Sequence, residues 1–277
     1  MTGVSIIIPA LNEEAGIGKV LKDLETIRAR VPGAMEVIVV DDGSTDRTAE
    51  LARAAGATVL SHPVNLGYGA SLKRGISRAS HDWIAMIDAD GTYAANDLAR
   101  LLERADGYDM LIGARQGAVY RGSLLRYPMR IVFRWLCAYV TGARVPDPNS
   151  GCRIFRKSVA MPYAPILSKG YSFTTSITML FLLEGHLVGF LPINYTERIG
   201  RSKVRLVRDT LRSSQILLEI ILMYNPLKAF LLFGAAPLAM GLWVRQESPE
   251  SFAVLAGIAF LIWSLGGIAV LLSRRTR

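Results

Sequence analysis

Cysteine is scarce. Only Cys137 and Cys152 occur in 277 residues, which excludes a disulfide framework, matches no metal-ligand spacing and suits a reducing compartment. The N-terminus lacks a signal-peptide pattern: Val4 to Ala10 is too short for the apolar region, and Glu13-Glu14 follow almost at once. Acid is missing between Met110 and Pro146, where Arg115, Arg121, Arg126, Arg130, Arg134 and Arg144 all fall. Charge of both signs nearly disappears after Ile216, so residues 1 to about 212 carry almost all the acids. The net charge of +9 is therefore unevenly placed, with a second basic run at Arg198, Arg201, Lys203, Arg205, Arg208 and Arg212. Both runs adjoin apolar segments, which favours an anionic lipid or a phosphate-bearing substrate over nucleic acid.

What is present begins with buried-type strands that end in polar or acidic residues. Val4-Ser5-Ile6-Ile7-Ile8 stops at Pro9; Met35 to Val40 runs into Asp41-Asp42; Trp83 to Ile87 runs into Asp88-Ala89-Asp90. Helical patterns separate them, with Asn12 placed to cap the first and Ser44 or Thr45 the second. Ala57 to Leu60 reads as a further strand, Asn65-Leu66-Gly67-Tyr68-Gly69 opens a helix through Arg78, Asp97 to Ala105 forms another, and Asp109 to Gly113 is a strand. Alternation of this kind predicts an α/β domain with a mostly parallel sheet covered on both faces. The carboxyl ends of parallel strands share one edge, where ligands bind in open α/β sheets. Asp88 and Asp90 point to the same side of an extended chain, so both can reach one hard cation whose shell phosphate oxygens and water would complete. Asp-Gly turns at strand ends are also common on their own; the repetition of carboxylates along one edge is what favours a site.

Tyr120 to Thr141 reads as an amphipathic helix. Arg126, Arg130 and Arg134, at i, i+4 and i+8, form one ridge among Leu124, Leu125, Ile131, Val132, Leu136 and Val140, a pattern suited to a membrane interface or to the outer face of a sheet. Arg201 to Tyr224 repeats it, basic early and apolar late, before Asn225-Pro226. Leu227 to Val244, with Lys228 its only charge, and Phe252 to Leu272, with none, are long enough to approach or cross a ~30 Å hydrocarbon core at ~1.5 Å per residue. The expected domains are thus 1–212, including an interfacial helix near 120–141, and 213–277, an amphipathic lead-in and a two-span hairpin. Basic residues flank both spans, Arg274, Arg275 and Arg277 among them, so the positive-inside rule puts the N-terminal domain in the cytoplasm and the chain in the cytoplasmic (inner) membrane as a multi-pass protein.

Ile8-Pro9-Ala10-Leu11-Asn12-Glu13-Glu14, Val40-Asp41-Asp42-Gly43-Ser44-Thr45-Asp46 and Asp88-Ala89-Asp90, in this order and spacing, resemble family 2 glycosyltransferases of the GT-A fold, above all the membrane-anchored dolichyl- or polyprenyl-phosphate mannose and glucose synthases. The resemblance covers about residues 4–205. It implies a nucleotide pocket at Pro9, Leu11, Glu13, Val40 and Asp42, with Asp42 and Glu13 bonded to base or ribose. It implies a Mg²⁺ or Mn²⁺ and diphosphate motif at Asp88, Ala89 and Asp90. Some relatives carry Gln two residues after the second Asp; Thr92 stands there. Arg115 resembles a phosphate contact, and Asp147-Pro148-Asn149-Ser150-Gly151-Cys152-Arg153 a loop near sugar and acceptor, with Cys152 in place of an aromatic. Arg198 to Lys203 resembles a basic loop over diphosphate or lipid phosphate. Gly170 to Ser176 lacks the acid that many relatives carry.

The implied reaction is inverting transfer of a hexose from a nucleotide sugar, GDP-mannose or UDP-glucose, to a polyprenyl phosphate such as undecaprenyl or dolichyl phosphate. An acceptor phosphate is already anionic, so the task is to neutralise two anions rather than to deprotonate a hydroxyl. Asp90, Arg115, Ser150 and Arg153 are the expected catalytic residues, with Arg130, Arg198 and Lys203 as further binding groups. Other readings are transfer to a neutral lipid such as diacylglycerol, which needs a base, and a non-catalytic nucleotide-sugar-binding subunit, against which the intact acids and Arg115 argue. A processive polysaccharide synthase would carry Gln-x-x-Arg-Trp; Arg134-Trp135 is present, but Ile131 stands where Gln belongs. Hairpins of this kind often associate, so a homo-oligomer is compatible with the pattern.

Overall fold

In the computed structural model, which describes residues 1–121, 126–199 and 206–273, the chain divides into two units, Met1–Ser213 and Ser214–Arg277. The first is built on strands β1 (Gly3–Ala10), β2 (Ala34–Asp41), β3 (Thr58–Ser61), β4 (Trp83–Met86), β5 (Met110–Gln116), β6 (Arg153–Arg156) and β7 (Val188–Asn194). Helices α1 (Glu14–Thr26), α2 (Thr48–Ala54), α3 (Tyr68–Arg78) and α4 (Ala95–Glu103) alternate with the first five strands. They are followed by α5 (Ala118–Arg121), α6 (Arg126–Thr141), α7 (Lys157–Ala160) and α8 (Phe173–Leu183).

The seven strands lie in the order β3-β2-β1-β4-β6-β5-β7. All pairings are parallel except those of β6, which runs against both β4 and β5. All eight residues of β1 are buried, as an apolar strand in the middle of a sheet covered on both faces requires. Side chains alternate between two layers. Ile6 and Ile8 join Ile17, Leu21 and Leu24 of α1 and Leu98 and Leu102 of α4 in one core. Ile7 points the other way, where α3 lies close enough that a Cβ on Gly75 would stand 2.5 Å from an Ile7 methyl and 3.0 Å from a Val40 methyl.

Register carries the functional consequence. Ala10 pairs with Asp41, Asp41 with Ser61, and Ile7 with Met86. The strand ends before Leu11, Asp42, His62 and Asp88 therefore share one edge, as the acidic strand tips predict. Because β6 is antiparallel, its first residue Arg153 pairs with Met86 and Ile112, which brings the loop 147–152 to the same edge. Neither β6 nor the α8–β7 unit is marked by a motif of its own. The amphipathic pattern expected over 120–141 is divided between α5 and α6, with 122–125 outside the described residues.

Helix α9 (Leu206–Tyr224) leads out of the first unit. The second unit continues with α10 (Pro226–Val244) and α11 (Pro249–Ser273), both long and apolar enough to cross a membrane. Small residues let the pair approach closely, as in membrane helix packing. The indole of Trp263 covers Gly234 and donates to the Leu231 carbonyl at 3.3 Å, and Phe230 covers Gly266. A side chain at Gly234 would begin 2.2 Å from the indole, whereas Gly257 meets nothing within 4 Å. Gly234→Val is expected to pry the hairpin open at a cost of roughly 1–3 kcal/mol, read as faster proteolysis at the turn 245–248 in detergent. Gly257→Ala is the control expected to leave that rate unchanged.

Candidate active site

The first two loops at the edge satisfy each other rather than their own helices. Asn12, at φ 47°, receives the Thr45 amide on its side-chain oxygen at 2.8 Å and donates its own amide to Ser44 Oγ at 2.9 Å. The Glu13 amide donates to Thr48 Oγ1 at 2.8 Å and the Glu14 amide to Asp46 at 3.2 Å. Asn12 thus does not cap α1, nor do Ser44 or Thr45 cap α2; Asp46 accepts the Thr48 amide at 3.0 Å. The expected local caps are replaced because each loop finds its partners across the edge.

Asp42 is buried and takes three hydrogen bonds from the end of β3 and the loop after it. Its Oδ1 meets His62 Nδ1 at 2.7 Å and accepts the Leu66 amide at 2.9 Å, while Oδ2 accepts the Gly67 amide at 2.9 Å. That loop delivers Tyr68, whose hydroxyl donates to Asp88 Oδ1 at 2.9 Å and whose ring stacks on Tyr171. Burial, and then the neighbouring Asp90 charge, push the Asp88 carboxyl up to about 6. Asp90 is held by the Thr92 amide and hydroxyl on Oδ1, at 3.1 and 2.7 Å, and faces Arg198 from Oδ2 at 3.4 Å. Arg198 also pairs with Glu13, and its buried Nε has no hydrogen-bond partner among the described residues. The segment around it is stitched to the acidic turn by Ile199 N–H to the Asp90 carbonyl and Thr196 N–H to the Thr92 carbonyl, at 3.0 and 3.1 Å.

Beside this acidic centre lies a cationic, aromatic one. Arg115 grips Asp147 through Nε and a terminal nitrogen, at 2.7 and 2.9 Å. Its guanidinium lies 4.9 Å from the Tyr120 ring centre and 5.3 Å from that of Tyr195. Arg130 takes Tyr120 as well, at 4.7 Å, so two cations share one ring. Asp147 neutralises Arg115. Arg130 keeps a buried terminal nitrogen with no partner among the described residues, a group that would gain from an anion.

The other expected residues divide. Pro9 and Val40 are register partners at the edge, and Leu11 is half-buried. Val40 is fully buried with a methyl against α3, so its side chain belongs to the core. Ala89 is buried with its carbonyl against Gly16 of α1. Ser150 and Arg153, both expected in catalysis, are also fully buried. Arg153 donates to the carbonyls of Pro148, Ser150 and Thr174 and to Thr178 Oγ1, leaving nothing for a substrate. Burial lowers its pKa to about 10, so it stays charged at neutral pH and anchors the loop 147–152 to α8. Lys203 lies outside the described residues. The residues that motif reading passes over are His62, Tyr68, Tyr120 and Tyr195; only Tyr68, between Gly67 and Gly69, carries a local signal.

The folded chain holds the Asp88 proton to about pH 6, while a free carboxyl loses it near 3.8. Folding is therefore penalised above that window and relieved as pH falls through it. With divalent ions chelated, Asp88→Asn is expected to raise the melting temperature at pH 7.5, with the gain vanishing by pH 4. Arg153→Leu orphans several buried acceptors at roughly 1–3 kcal/mol each and should lower the melting temperature by roughly 10 °C or more, where a purely catalytic residue would leave it unmoved.

A family profile described as Glycosyl transferase family 2 matches residues 5–163. The chain is 31% identical over 204 residues to a dolichyl-phosphate hexose transferase of Haloferax volcanii, covering 73% of this chain and 86% of that protein. It is 32% identical over 188 residues to an undecaprenyl-phosphate 4-deoxy-4-formamido-L-arabinose transferase of Pseudomonas aeruginosa, where it covers 61% of this chain and spans only 54% of the relative's length. Glucosyl-3-phosphoglycerate synthase of Mycobacterium tuberculosis, crystallised with Mn²⁺, UDP and phosphoglyceric acid, shares the fold at a TM-score of 0.65 and 22% identity, over 79% of this chain and 78% of that one. With two acidic strand tips, a basic-aromatic flank and a profile match over more than half its length, this chain belongs to glycosyl transferase family 2 and is a glycosyltransferase.

Proposed function

We propose that the chain transfers a hexose from a nucleotide sugar to a polyprenyl phosphate at the cytoplasmic face of a membrane, with inversion at the anomeric carbon. The observation that carries the acceptor is α6. It exposes Tyr127, Met129, Ile131, Val132 and Trp135 while Arg130, on the same helix, keeps a buried nitrogen unpaired. Apolar side chains open to solvent beside an unneutralised cation suit a phosphate carried on a hydrocarbon chain. The names of the Haloferax and Pseudomonas relatives, a dolichyl-phosphate and an undecaprenyl-phosphate transferase, support the same class.

The donor half of the reading rests on Asp42, Glu13, Asp88 and Asp90 along one edge. Among the described residues no third acid, His or Cys joins Asp88 and Asp90. Two carboxylates still fit a Mg²⁺ or Mn²⁺ ion, because burial and then the neighbouring Asp90 charge already raise Asp88 and a cation would offset both. When bound, such an ion would stabilise the charge growing on the leaving diphosphate. Arg198, poised on Asp90 and Glu13, would supply a second positive charge there, while Arg115 and Arg130 receive the acceptor phosphate. No strong base is required, since the acceptor oxygen is already anionic.

Purified full-length protein, a short polyprenyl phosphate and a panel of UDP- and GDP-sugars test this, scored by product mass. The expected product is a sugar phosphate labile to mild acid with inverted configuration. Asp90→Asn should cut transfer on the order of 100-fold or more while nucleotide binding persists. A sugar joined to diacylglycerol and not to the isoprenoid would overturn the acceptor assignment, and a retained configuration the in-line route.

A further inference from the structure

An ionised carboxylate offers four in-plane acceptor positions and no donor. On Asp42 three of the four are taken. His62 Nδ1 and the Leu66 amide occupy Oδ1 at 2.7 and 2.9 Å, and the Gly67 amide occupies one position of Oδ2 at 2.9 Å. The ring nitrogen must be the donor, because the carboxylate has no hydrogen to give. His62 and Asp42 are both nearly sealed from solvent, at 5% and 6% side-chain exposure, so water does not compete for these positions. The His62 backbone is itself fixed, its amide donating to the Asp41 carbonyl at 2.8 Å.

Nucleobases differ in what they present to a carboxylate. Guanine offers two adjacent donors, N1–H and the 2-amino group, and is satisfied when each reaches its own oxygen. Uracil offers a single donor, the imide N3–H, flanked by carbonyls. Cytosine offers an acceptor at the same position. With Oδ1 saturated, Asp42 can take one donor and no second. We infer that His62, by saturating one oxygen of Asp42, makes the site select a nucleoside diphosphate with a single imide N–H, a uridine diphosphate sugar, over its guanosine counterpart. This rests on the proposed placement of the nucleotide at Asp42. Guanine bound there would bury an amino group with no acceptor, a mismatch that polar sites reject strongly. His62 is a positioning residue: it sets how many acceptors Asp42 presents.

Calorimetric titration of the full-length protein in detergent, with Mn²⁺ present, compares UDP, GDP and CDP. UDP is expected to bind at least about tenfold more tightly than either of the others. His62→Leu, which frees an Oδ1 position, should narrow the UDP-to-GDP ratio severalfold, mainly by improving GDP. His62→Asn places an amide nitrogen where the ring Nδ1 stood and should restore the wild-type ratio, an outcome a merely structural role would not produce. Melting curves of both variants identify any loss of folding, and the wild-type ratio alone decides the base if neither folds. GDP binding as tightly as UDP, or a ratio unmoved in a folded His62→Leu protein, overturns the inference and leaves the proposed reaction standing. Binding of no nucleotide at all overturns the placement of the donor, and the inference with it.

Discussion

Burial of neighbouring carboxylates organises this protein. Asp88 and Asp90 stand one residue apart just beyond β4, where burial first and the Asp90 charge second disfavour the ionised form of Asp88. The surroundings divide the burden unevenly. Asp90 takes two hydrogen bonds from Thr92 and the Arg198 guanidinium, whereas Asp88 takes a single hydroxyl from Tyr68. A local excess of negative charge therefore remains at the edge of the sheet. Negative charge of this kind attracts cations, and it depends on parallel register bringing neighbouring strand ends level.

The cationic side solves a complementary problem. Arg115 and Arg130 carry like charges, but both rest against the Tyr120 ring, and the Asp147 carboxylate neutralises Arg115. Asp147 is itself positioned by the loop that Arg153 anchors from inside the domain. A fully buried arginine bonded to carbonyls thus acts at one remove, fixing the segment that carries the carboxylate partner of Arg115. Catalytic-looking motifs hold two kinds of residue for this reason: those facing the cleft and those that keep the facing ones in place.

Local pattern was enough to locate the acidic tips, the parallel strands and the two apolar helices, because each depends on a short-range property: apolar runs of strand length, carboxylates at their ends, or uncharged stretches of about 20 residues. It was not enough where a side chain's partner lies far along the chain. Asn12 has the chemistry of a cap but bonds to Thr45, 33 residues away, and Arg153 closes a motif that resembles a loop near sugar and acceptor yet spends its donors on groups that include Thr174 and Thr178.

The amino-acid order by itself determined which residues could bind charge and that several of them end strands, since hydrophobic periodicity and residue type are written locally. Only the tertiary structure decided which of those charges remain available. Antiparallel β6 turns Arg153 inward, the loop after β3 fills one oxygen of Asp42 and half of the other, and Tyr120 joins Arg115 to Arg130. The physical reason is that hydrogen-bond capacity and desolvation are settled by whichever groups packing brings within about 3 Å, and those groups are set by sheet order rather than by sequence spacing.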